Sequence, residues 1–432
     1  MQKVSEEGLV RGIRQWDIVG VVINGIIGAG IFVLPARSFK LIGSYSLIAF
    51  VLCAFVCALI ILCFVEVSSR FTGTGGPYLY AQEAFGPAVG FQVGWMNWIS
   101  RVTAYATNCN LLVVYLGFFW PAAVSGFWRA LLIILITLTL TVINYIGVRD
   151  AALTSNFFAI AKLVPMILFI AAGLFFLTPE NFSLGEYPSY GSFSTSVLLL
   201  LYAFTGFENA SVPAGEMVNP RRNLPFAILT GLGIVTLVYL LIQTVSIGTL
   251  RDLGNTERPL ADAAALFLGP VGGSIIAAGA IISVLGNLNV NILTTPRIIF
   301  AMSGRRELPQ ILSDVHKRFR TPHVAILGTA AIMLALTLSS SLIYALTVST
   351  IARLLAYAAT CAALPRLRYK QGVPDALVKI PGGIIISVLA ILLSIWLLTN
   401  STWIEARDSA IAVAVGIAIY VGYRLMSRGA KR

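Results

Sequence analysis

Two short glycine-containing stretches hold the residues best suited to bind a small charged molecule. They are NGIIGAGIF, residues 24–32, and YAFTGFENA, residues 202–210. Each interrupts a long apolar run, and an interrupted helix exposes unpaired backbone groups at the break. The second half of the first run begins near Gly30, so its N–H groups and positive dipole end favour a carboxylate. The first half of the second run ends near residues 203–205, so its carbonyls favour an ammonium group.

An α-amino acid carries these two charges side by side, so the paired breaks predict an amino acid site. Glycine in a membrane helix also serves close helix packing, and for Gly28 and Gly30 alone that reading is equally open. The matching interruption at 202–210 favours binding. Freed backbone groups are costly in hydrocarbon, so the breaks are expected to line a polar cavity.

Two ionisable side chains lie deep inside apolar runs and are candidates for exchanging a proton. Lys162 lies about ten residues into its run, too deep to reach either surface easily. A lysine permanently bonded to carbonyl groups is the structural alternative. Glu208 lies near the middle of its run, where a carboxylate must be protonated, paired or hydrated. Pairing with Arg101 or Arg353 is the alternative for Glu208.

The remaining charged residues in or beside the apolar runs are interpreted as structural. They are Arg101 and Arg353 within the membrane, and Glu66 and Glu216 at helix ends, where pairing with Arg70 or Arg221 is expected. The chain has only two histidines, His316 and His323, and neither has a metal-ligand or nucleophile partner at useful spacing. Walker-type phosphate loops are absent from the sequence. No enzyme activity, cofactor or metal is therefore expected.

The elements that position these residues are set by an apolar composition. Of 432 residues, 58% are hydrophobic and 11% are charged, so the protein is expected to be integral to a membrane. The net charge of +12 falls in short loops between apolar runs, which indicates membrane orientation and no nucleic-acid partner. The five cysteines lie in apolar stretches and behave as small hydrophobes.

Apolar runs of about 20 residues predict about twelve membrane-spanning helices in an all-α protein. They lie near 16–38, 44–66, 88–117, 128–147, 153–177, 195–217, 224–249, 268–300, 322–338, 341–365, 381–398 and 407–426. The distribution of lysine and arginine places both termini in the cytoplasm. The two breaks lie five helices apart in helices of opposite direction, which predicts two inverted five-helix repeats, as in a secondary transporter. The predicted segments are 1–15, a first repeat 16–177, a second repeat 195–366, two further helices in 379–426, and a tail 427–432.

Six motifs in this order resemble the amino acid–polyamine–organocation superfamily, in particular its cationic-amino-acid-transporter-like permeases. They are GIIGAGIF (25–32), RFTGTGGPYLYAQEAFG (70–86), YAFTGFENA (202–210), NPRRNLPFAI (219–228), TTPRIIFAMSGRRELPQIL (294–312) and VHKRFRTPHVAIL (315–327). The resemblance covers about residues 11–426. It implies a leucine-transporter-type fold with broken helices 1 and 6 and a substrate site between helices 1, 3, 6, 8 and 10.

The resemblance also implies roles for individual residues. The backbone N–H groups of Ile27, Gly28, Ala29 and Gly30 would hold the substrate carboxylate. Carbonyl groups of Tyr202, Ala203 and Thr205 would hold its amine, with Phe204 as an aromatic gate. Lys162 matches a family lysine that resembles a replacement for sodium, and Glu208 matches a family acidic position. The possible side-chain pocket consists of Asn108, Ser283 and Asn287.

These observations predict an inner-membrane permease for L-amino acids that works by alternating access, coupled to protons or to exchange. No pocket carboxylate is apparent for a cationic side chain, which favours neutral amino acids. A cationic amino acid or polyamine antiporter remains open, as does a non-transporting amino acid sensor or partner subunit. The expected partners are the amino acid, protons and the lipid bilayer, and no oligomeric state is predicted.

Overall fold

The computed structural model describes residues 7–117, 119–339, 342–399 and 403–429. Over these ranges the chain forms fourteen α-helices joined by loops and short 3-10 helices. In chain order they are α1 Gln15–Ile26, α2 Leu34–Ile42, α3 Ser46–Ser68, α4 Pro77–Phe85, α5 Pro87–Leu116, α6 Gly126–Ile146, α7 Val148–Gly173, α8 Tyr190–Phe204, α9 Pro220–Thr249, α10 Pro259–Gly304, α11 His323–Ser339, α12 Leu342–Tyr369, α13 Gly383–Thr399 and α14 Trp403–Gly429. The ends of the predicted terminal segments, 1–6 and 430–432, lie outside the described residues.

Seven segments of the described chain are long and apolar enough to cross a bilayer, judged by length and composition. They are Leu34–Ser68, Gly126–Ile146, Val148–Phe176, Tyr190–Ser211, Pro220–Thr249, Pro259–Gly304 and Ala406–Met426, while α11 and α13 are shorter apolar helices. A helix satisfies its own backbone hydrogen bonds, which is why apolar runs cross membranes in this form. The described chain is an all-helical, multi-pass membrane protein, as its composition predicted.

Both glycine-containing stretches interrupt their helices. α1 ends at Ile26, and the chain resumes as a short 3-10 helix, Gly30–Phe32, before α2. α8 ends at Phe204 and is followed by another short 3-10 helix, Phe207–Ser211. Gly206, between them, has a φ of +110°, a conformation that residues with a side chain rarely adopt. The run predicted at 195–217 is therefore divided at the interruption that the sequence indicated.

The two interruptions lie in the centre of the helix packing. α1 contacts α7, α9, α10 and the 3-10 helix Phe207–Ser211. α10 in turn packs on α5 and α7, and α5 packs on α12. Most buried apolar side chains belong to one continuous cluster that surrounds these elements. The breaks are thus enclosed by α5, α7, α10 and α12.

Two elements differ from the sequence prediction. The connection at 67–86, which lies between two predicted spans, contains α4, which Pro77 begins after two glycines with positive φ. α4 is mostly buried and packs on α5 and α12. The run predicted at 268–300 is the second part of α10, which bends at Gly269 (φ +68°) beside Pro270. Proline removes a helical hydrogen bond, which accounts for the bend at this position.

The described part of the N-terminal segment packs against the helices near it. Leu9 is buried against Phe300 and Ala325. Ile13 forms a parallel bridge with Met217, just after the second interruption. The carboxylate of Glu7 accepts a hydrogen bond from the backbone N–H of Thr74 at 2.9 Å. The segment therefore connects the α3–α4 loop to the chain that follows α8.

Candidate functional site

The first interruption leaves a row of backbone donors unused. Ile27, with φ −76° and ψ 93°, ends the helical conformation of α1. In the described residues, the N–H groups of Gly28, Ala29 and Gly30 donate no hydrogen bond. Successive free N–H groups at a helix break form a receptor for an anion. The geometry thus offers a carboxylate site at three of the four residues for which the resemblance implied one.

The second interruption leaves a different set of carbonyls free than expected. The Thr205 hydroxyl donates to the Tyr202 carbonyl at 2.8 Å, and the Tyr239 hydroxyl donates to the Ala203 carbonyl at 3.1 Å. Within the described chain, the carbonyls of Phe204 and Thr205 accept no hydrogen bond. Acceptors for an ammonium group are therefore available at Phe204 and Thr205, whereas those of Tyr202 and Ala203 are occupied.

The two interruptions touch through backbone atoms at Gly25 and Gly206. A Cβ atom placed on Gly206 would lie 2.1 Å from the Gly25 carbonyl oxygen. A Cβ atom on Gly25 would lie 2.5 Å from the Gly206 carbonyl oxygen. Neither distance is compatible with a side chain, so both positions require glycine. The first break also approaches the end of α8, since a Cβ atom on Gly30 would lie 3.5 Å from the Ala203 Cα.

Lys162 lies at the first interruption. It is fully buried on α7, and its Nζ donates to the Ile27 carbonyl at 2.6 Å and to the Ser283 carbonyl at 3.0 Å. Its ammonium group therefore joins α7 and α10 to the end of α1. An ammonium group here compensates the carbonyl dipoles at a helix C-terminus. Contact with carbonyls agrees with both roles considered for this lysine.

Two residues of the possible side-chain pocket, Ser283 and Asn287, contact the first interruption, and the third, Asn108, contacts Asn287. The Asn287 Nδ2 donates to the carbonyls of Asn24 and Gly25, both at 3.0 Å. The Ser283 hydroxyl lies 3.2 Å from the carbonyls of Ile27 and Gly28. Asn108 donates to Asn287 Oδ1 at 3.0 Å. All three side chains are buried, and their role as a side-chain pocket remains a prediction.

Glu208 lies just after the second interruption and has neutral partners. Its Oε2 accepts from the Gly206 N–H at 2.9 Å and from the Tyr357 hydroxyl at 2.6 Å. Its Oε1 is buried without a partner in the described residues. The described residues contain no ion pair between Glu208 and Arg101 or Arg353, the pairing considered from the sequence.

Arg101 and Arg353 lie close to Glu208 and the second interruption. Arg353 donates to the Thr205 hydroxyl at 2.7 Å and to the Ser100 hydroxyl at 3.2 Å. Arg101, on α5, donates to Asn97 and Thr294, both at 2.8 Å. Arg101 is near enough to Glu208 and Arg353 to interact with both electrostatically. The site therefore contains two buried guanidinium groups.

Phe204 is fully buried, with its ring against Tyr239 at 5.1 Å and Phe50 at 6.4 Å between centroids. Tyr202, two residues earlier and on the opposite side of α8, is half-buried. An aromatic gate at Phe204 would have to leave this cluster, and its proposed role remains a prediction.

Two ion pairs at the helix ends differ from expectation. Glu216 pairs with Arg297 of α10, and both side chains are fully buried. The expected partner Arg221 donates to the Ser69 carbonyl at 2.8 Å instead. The pairing of Glu216 with Arg221 is therefore wrong. The partner of Glu216 therefore comes from α10, and not from the residues that follow Glu216 in the sequence.

Glu66 has a partner that the sequence did not indicate. Arg368 of α12 donates to both carboxylate oxygens, at 2.7 and 2.6 Å. Arg70 is more distant, with its Nη2 at 3.8 Å. A two-pronged contact of this kind is the stronger of the two. The expected pairing with Arg70 is present but secondary.

Sequence reasoning missed three residues that shape the site. Gly25 was visible in the first motif, and its spacing to the break could have indicated close packing. Tyr239 and Tyr357 donate to the second interruption from α9 and α12. Neither tyrosine lies in a motif or at a distinctive spacing, so only the fold reveals them.

The fold and site together define a class of protein. It is a helical, multi-pass membrane protein in which two helices break side by side at the centre of the molecule, around buried charged groups. The amino acid permease family model matches residues 13–422. The chain therefore belongs to the amino acid permease family, and it is a transporter and not an enzyme.

Individual relatives align with nearly the whole chain. The serine/threonine exchanger SteT of Bacillus subtilis (strain 168) is 29% identical, covering 97% of this chain and 98% of the relative. The branched-chain amino acid permease BcaP of the same organism is 26% identical, with 97% and 94% covered. The arginine/agmatine antiporter of Chlamydia pneumoniae is 27% identical, with 96% and 90% covered.

Proposed function

We propose that this protein is a secondary active transporter that carries L-amino acids across the cytoplasmic membrane by alternating access. The observation that carries the proposal is the row of N–H groups at Gly28, Ala29 and Gly30 that are unpaired in the described residues, together with the unpaired carbonyls of Phe204 and Thr205 at the second break. The first set is complementary to a carboxylate and the second to an ammonium group. An α-amino acid satisfies both.

We propose that the helices form a leucine-transporter-type fold with about twelve spans, two inverted five-helix repeats and broken helices 1 and 6. In this arrangement α1 with α2 and α8 with the chain to Glu216 are the broken helices. The termini lie in the cytoplasm, and the membrane is the inner membrane. Support comes from the distribution of basic residues and from the position of the breaks near mid-membrane.

We propose that Lys162 and Glu208 couple transport to protons or to exchange. Lys162 joins the first break to α7 and α10. Loss of its proton would remove the charge that holds these carbonyls and would free the end of α1 to move. Two relatives are named as an exchanger and an antiporter, which supports exchange.

The substrate is proposed to lack a cationic side chain. The side chains beside the breaks include Arg101 and Arg353, which repel a further positive charge, against one carboxylate at Glu208. The sequence favoured neutral amino acids on a different ground, the lack of an apparent pocket carboxylate for a cationic side chain. The names of the relatives cover serine/threonine, branched-chain and arginine/agmatine substrates, so relatives alone do not select a side chain.

An uptake panel in proteoliposomes tests the function. The purified protein is reconstituted and given each common radiolabelled amino acid, with and without sodium, a proton gradient and internal amino acid. We expect uptake without sodium that is increased by a proton gradient or by internal substrate. Binding without uptake under every condition would contradict transport and support a sensor. Chemical conversion of the recovered solute would contradict both.

A further inference from the structure

We propose that Arg101 and Arg353 form the side-chain subsite of this transporter and select amino acids that carry a second carboxylate, such as aspartate and glutamate. This inference rests on the proposed function, because it requires the α-carboxylate and ammonium groups to occupy the two breaks. The sequence favoured a substrate with a neutral side chain, whereas this inference favours one with an acidic side chain.

Arg353 contacts the second break through Thr205. Its Nη1 donates to the Thr205 hydroxyl at 2.7 Å, and that hydroxyl donates to the Tyr202 carbonyl at 2.8 Å. Thr205 also has one of the two free carbonyls at the second break. The guanidinium group therefore contacts the side chain of a residue whose carbonyl is proposed to hold the ammonium group. A side chain of two or three bonds reaches such a position.

The charged side chains near the second break carry more positive than negative charge. Arg101 and Arg353 contribute two positive charges, and Glu208 contributes one negative charge at most. In the described residues neither arginine has an ion-pair partner within 4.0 Å. An uncompensated charge buried in a membrane is costly, and polar groups there usually serve function. A substrate carboxylate would compensate it.

Arg101 and Asn97 each have a buried hydrogen-bond donor without a partner in the described residues. Arg101 is fully buried, and its Nη2 has no partner in the part of the chain that the structure describes. The neighbouring Asn97 Nδ2, also buried, is likewise unpartnered. Leaving such donors unpaired is costly, and more so for charged groups. A carboxylate supplies acceptors for both, whereas an aliphatic side chain supplies none.

The carboxylate of Glu208 would oppose the binding of an acidic side chain unless it carries a proton, which agrees with the proposed coupling of transport to protons. Its Oε1 is buried without a partner in the described residues, and Arg101 is near enough to Glu208 to interact with it electrostatically. An ionised Glu208 would therefore repel a second carboxylate bound at Arg101. A proton on Glu208 removes the repulsion and turns that oxygen into a possible donor. The acidic substrate and the proton would then enter together. This is consistent with the role proposed for Glu208 above.

Competition against the unmodified protein is the first test. Proteoliposomes are given the amino acid with the highest uptake in the panel, and unlabelled L-glutamate, L-aspartate, L-leucine and L-arginine are added in increasing amounts. We expect the acidic amino acids to inhibit at concentrations about tenfold lower than leucine, which corresponds to ~1.4 kcal/mol. If leucine competes as well as the acidic amino acids, the inference is wrong and the proposed function stands. If no amino acid is carried or bound, both fail.

Arg353→Gln is the second test, with Arg37→Gln, on the exposed face of α2, as the matched control. We expect Arg353→Gln to raise the KM for glutamate about tenfold while glutamine uptake is retained. Arg353→Lys should recover part of the loss. Equal loss of glutamate and glutamine uptake in a folded protein would indicate a structural role and overturn the inference. If Arg353→Gln does not fold, the competition result alone decides.

Discussion

At the scale of single residues, the first break has an asymmetric set of partners. Lys162, Ser283 and Asn287 all direct donors at the carbonyl oxygens of residues 24–28. In the described residues no acceptor faces the N–H groups that follow, at Gly28, Ala29 and Gly30. The carbonyls are thus satisfied by protein, and the N–H groups are left for a ligand. This difference supports the carboxylate site proposed at this turn.

Lys162→Met should lower the rate of uptake about tenfold and flatten its pH profile. The variant removes the ammonium group that holds the Ile27 and Ser283 carbonyls, and with it a group that can exchange a proton. Initial uptake rates in proteoliposomes between pH 5.5 and 8 measure both effects. Lys379→Met is the control, since that side chain is 66% exposed in a surface pair with Asp375. A pH profile and rate like those of the unmodified protein would exclude the coupling role.

Gly206→Ala should destabilise the protein by about 2–4 kcal/mol, combining backbone strain with overpacking. The strain comes from a φ of +110°, and the overlap is with the Gly25 carbonyl oxygen at 2.1 Å. Gly233→Ala in α9 is the control, because a Cβ there meets no atom within 4 Å. The Tm values of the three proteins in detergent measure the difference. Equal Tm for Gly206→Ala and Gly233→Ala would contradict the close approach.

At the scale of elements, one carboxylate joins α4 to the chain beyond α10. Glu307 accepts from the Tyr78 hydroxyl at 2.8 Å and from Gln82 Nε2 at 2.9 Å, both on α4. Burial raises the pKa of Glu307 to about 7, although the Tyr78 hydrogen bond and the charge of Arg305 oppose this shift. Arg305 itself pairs with Glu83 of α4 at 2.9 Å. The contact therefore includes a group that titrates near neutral pH.

This contact should become less stable as pH rises toward 7 and beyond. Because the pKa of Glu307 is higher in the folded protein than its ordinary value of 4.5, the folded state binds more protons between these two values. Its stabilising effect is complete below about pH 4.5 and is lost through about pH 7. We expect Tm to fall between pH 5 and 8, and by less in Glu307→Gln. An identical pH dependence in both proteins would refute the contribution of Glu307.

At the scale of the whole molecule, a ligand that joins the two breaks should stabilise the folded protein. Binding to the folded state alone stabilises it by RT ln(1 + [L]/Kd), about 2.7 kcal/mol at 100 times Kd. We expect the best amino acid substrate to raise Tm, and both its decarboxylated amine and its deaminated acid to raise it much less. Thermal unfolding of the detergent-purified protein measures this. Equal stabilisation by the amine would argue against a carboxylate receptor.

The sequence predicted the helical class and the positions of both breaks, because apolar length and glycine clusters are local signals. It also brought attention to Lys162 and Glu208, since an ionisable residue inside an apolar run is conspicuous. It did not predict the partners. Tyr357, Arg297 and Arg368 reach their carboxylates from distant helices, and such contacts depend on packing. The helix α4 was missed because its mostly buried nine-residue run is too short to resemble a span.

The contact between the two breaks has a consequence for how this scaffold can evolve. Its atoms belong to the main chain at Gly25 and Gly206, so mutation can abolish the contact but cannot change its chemistry. The side chains on α5 and α12 are under no such restriction. A laboratory selection for growth on a new amino acid should therefore accumulate changes around Arg101 and Arg353. Gly25 and Gly206 should remain unchanged in the selected variants, even though the amino acid that they transport differs.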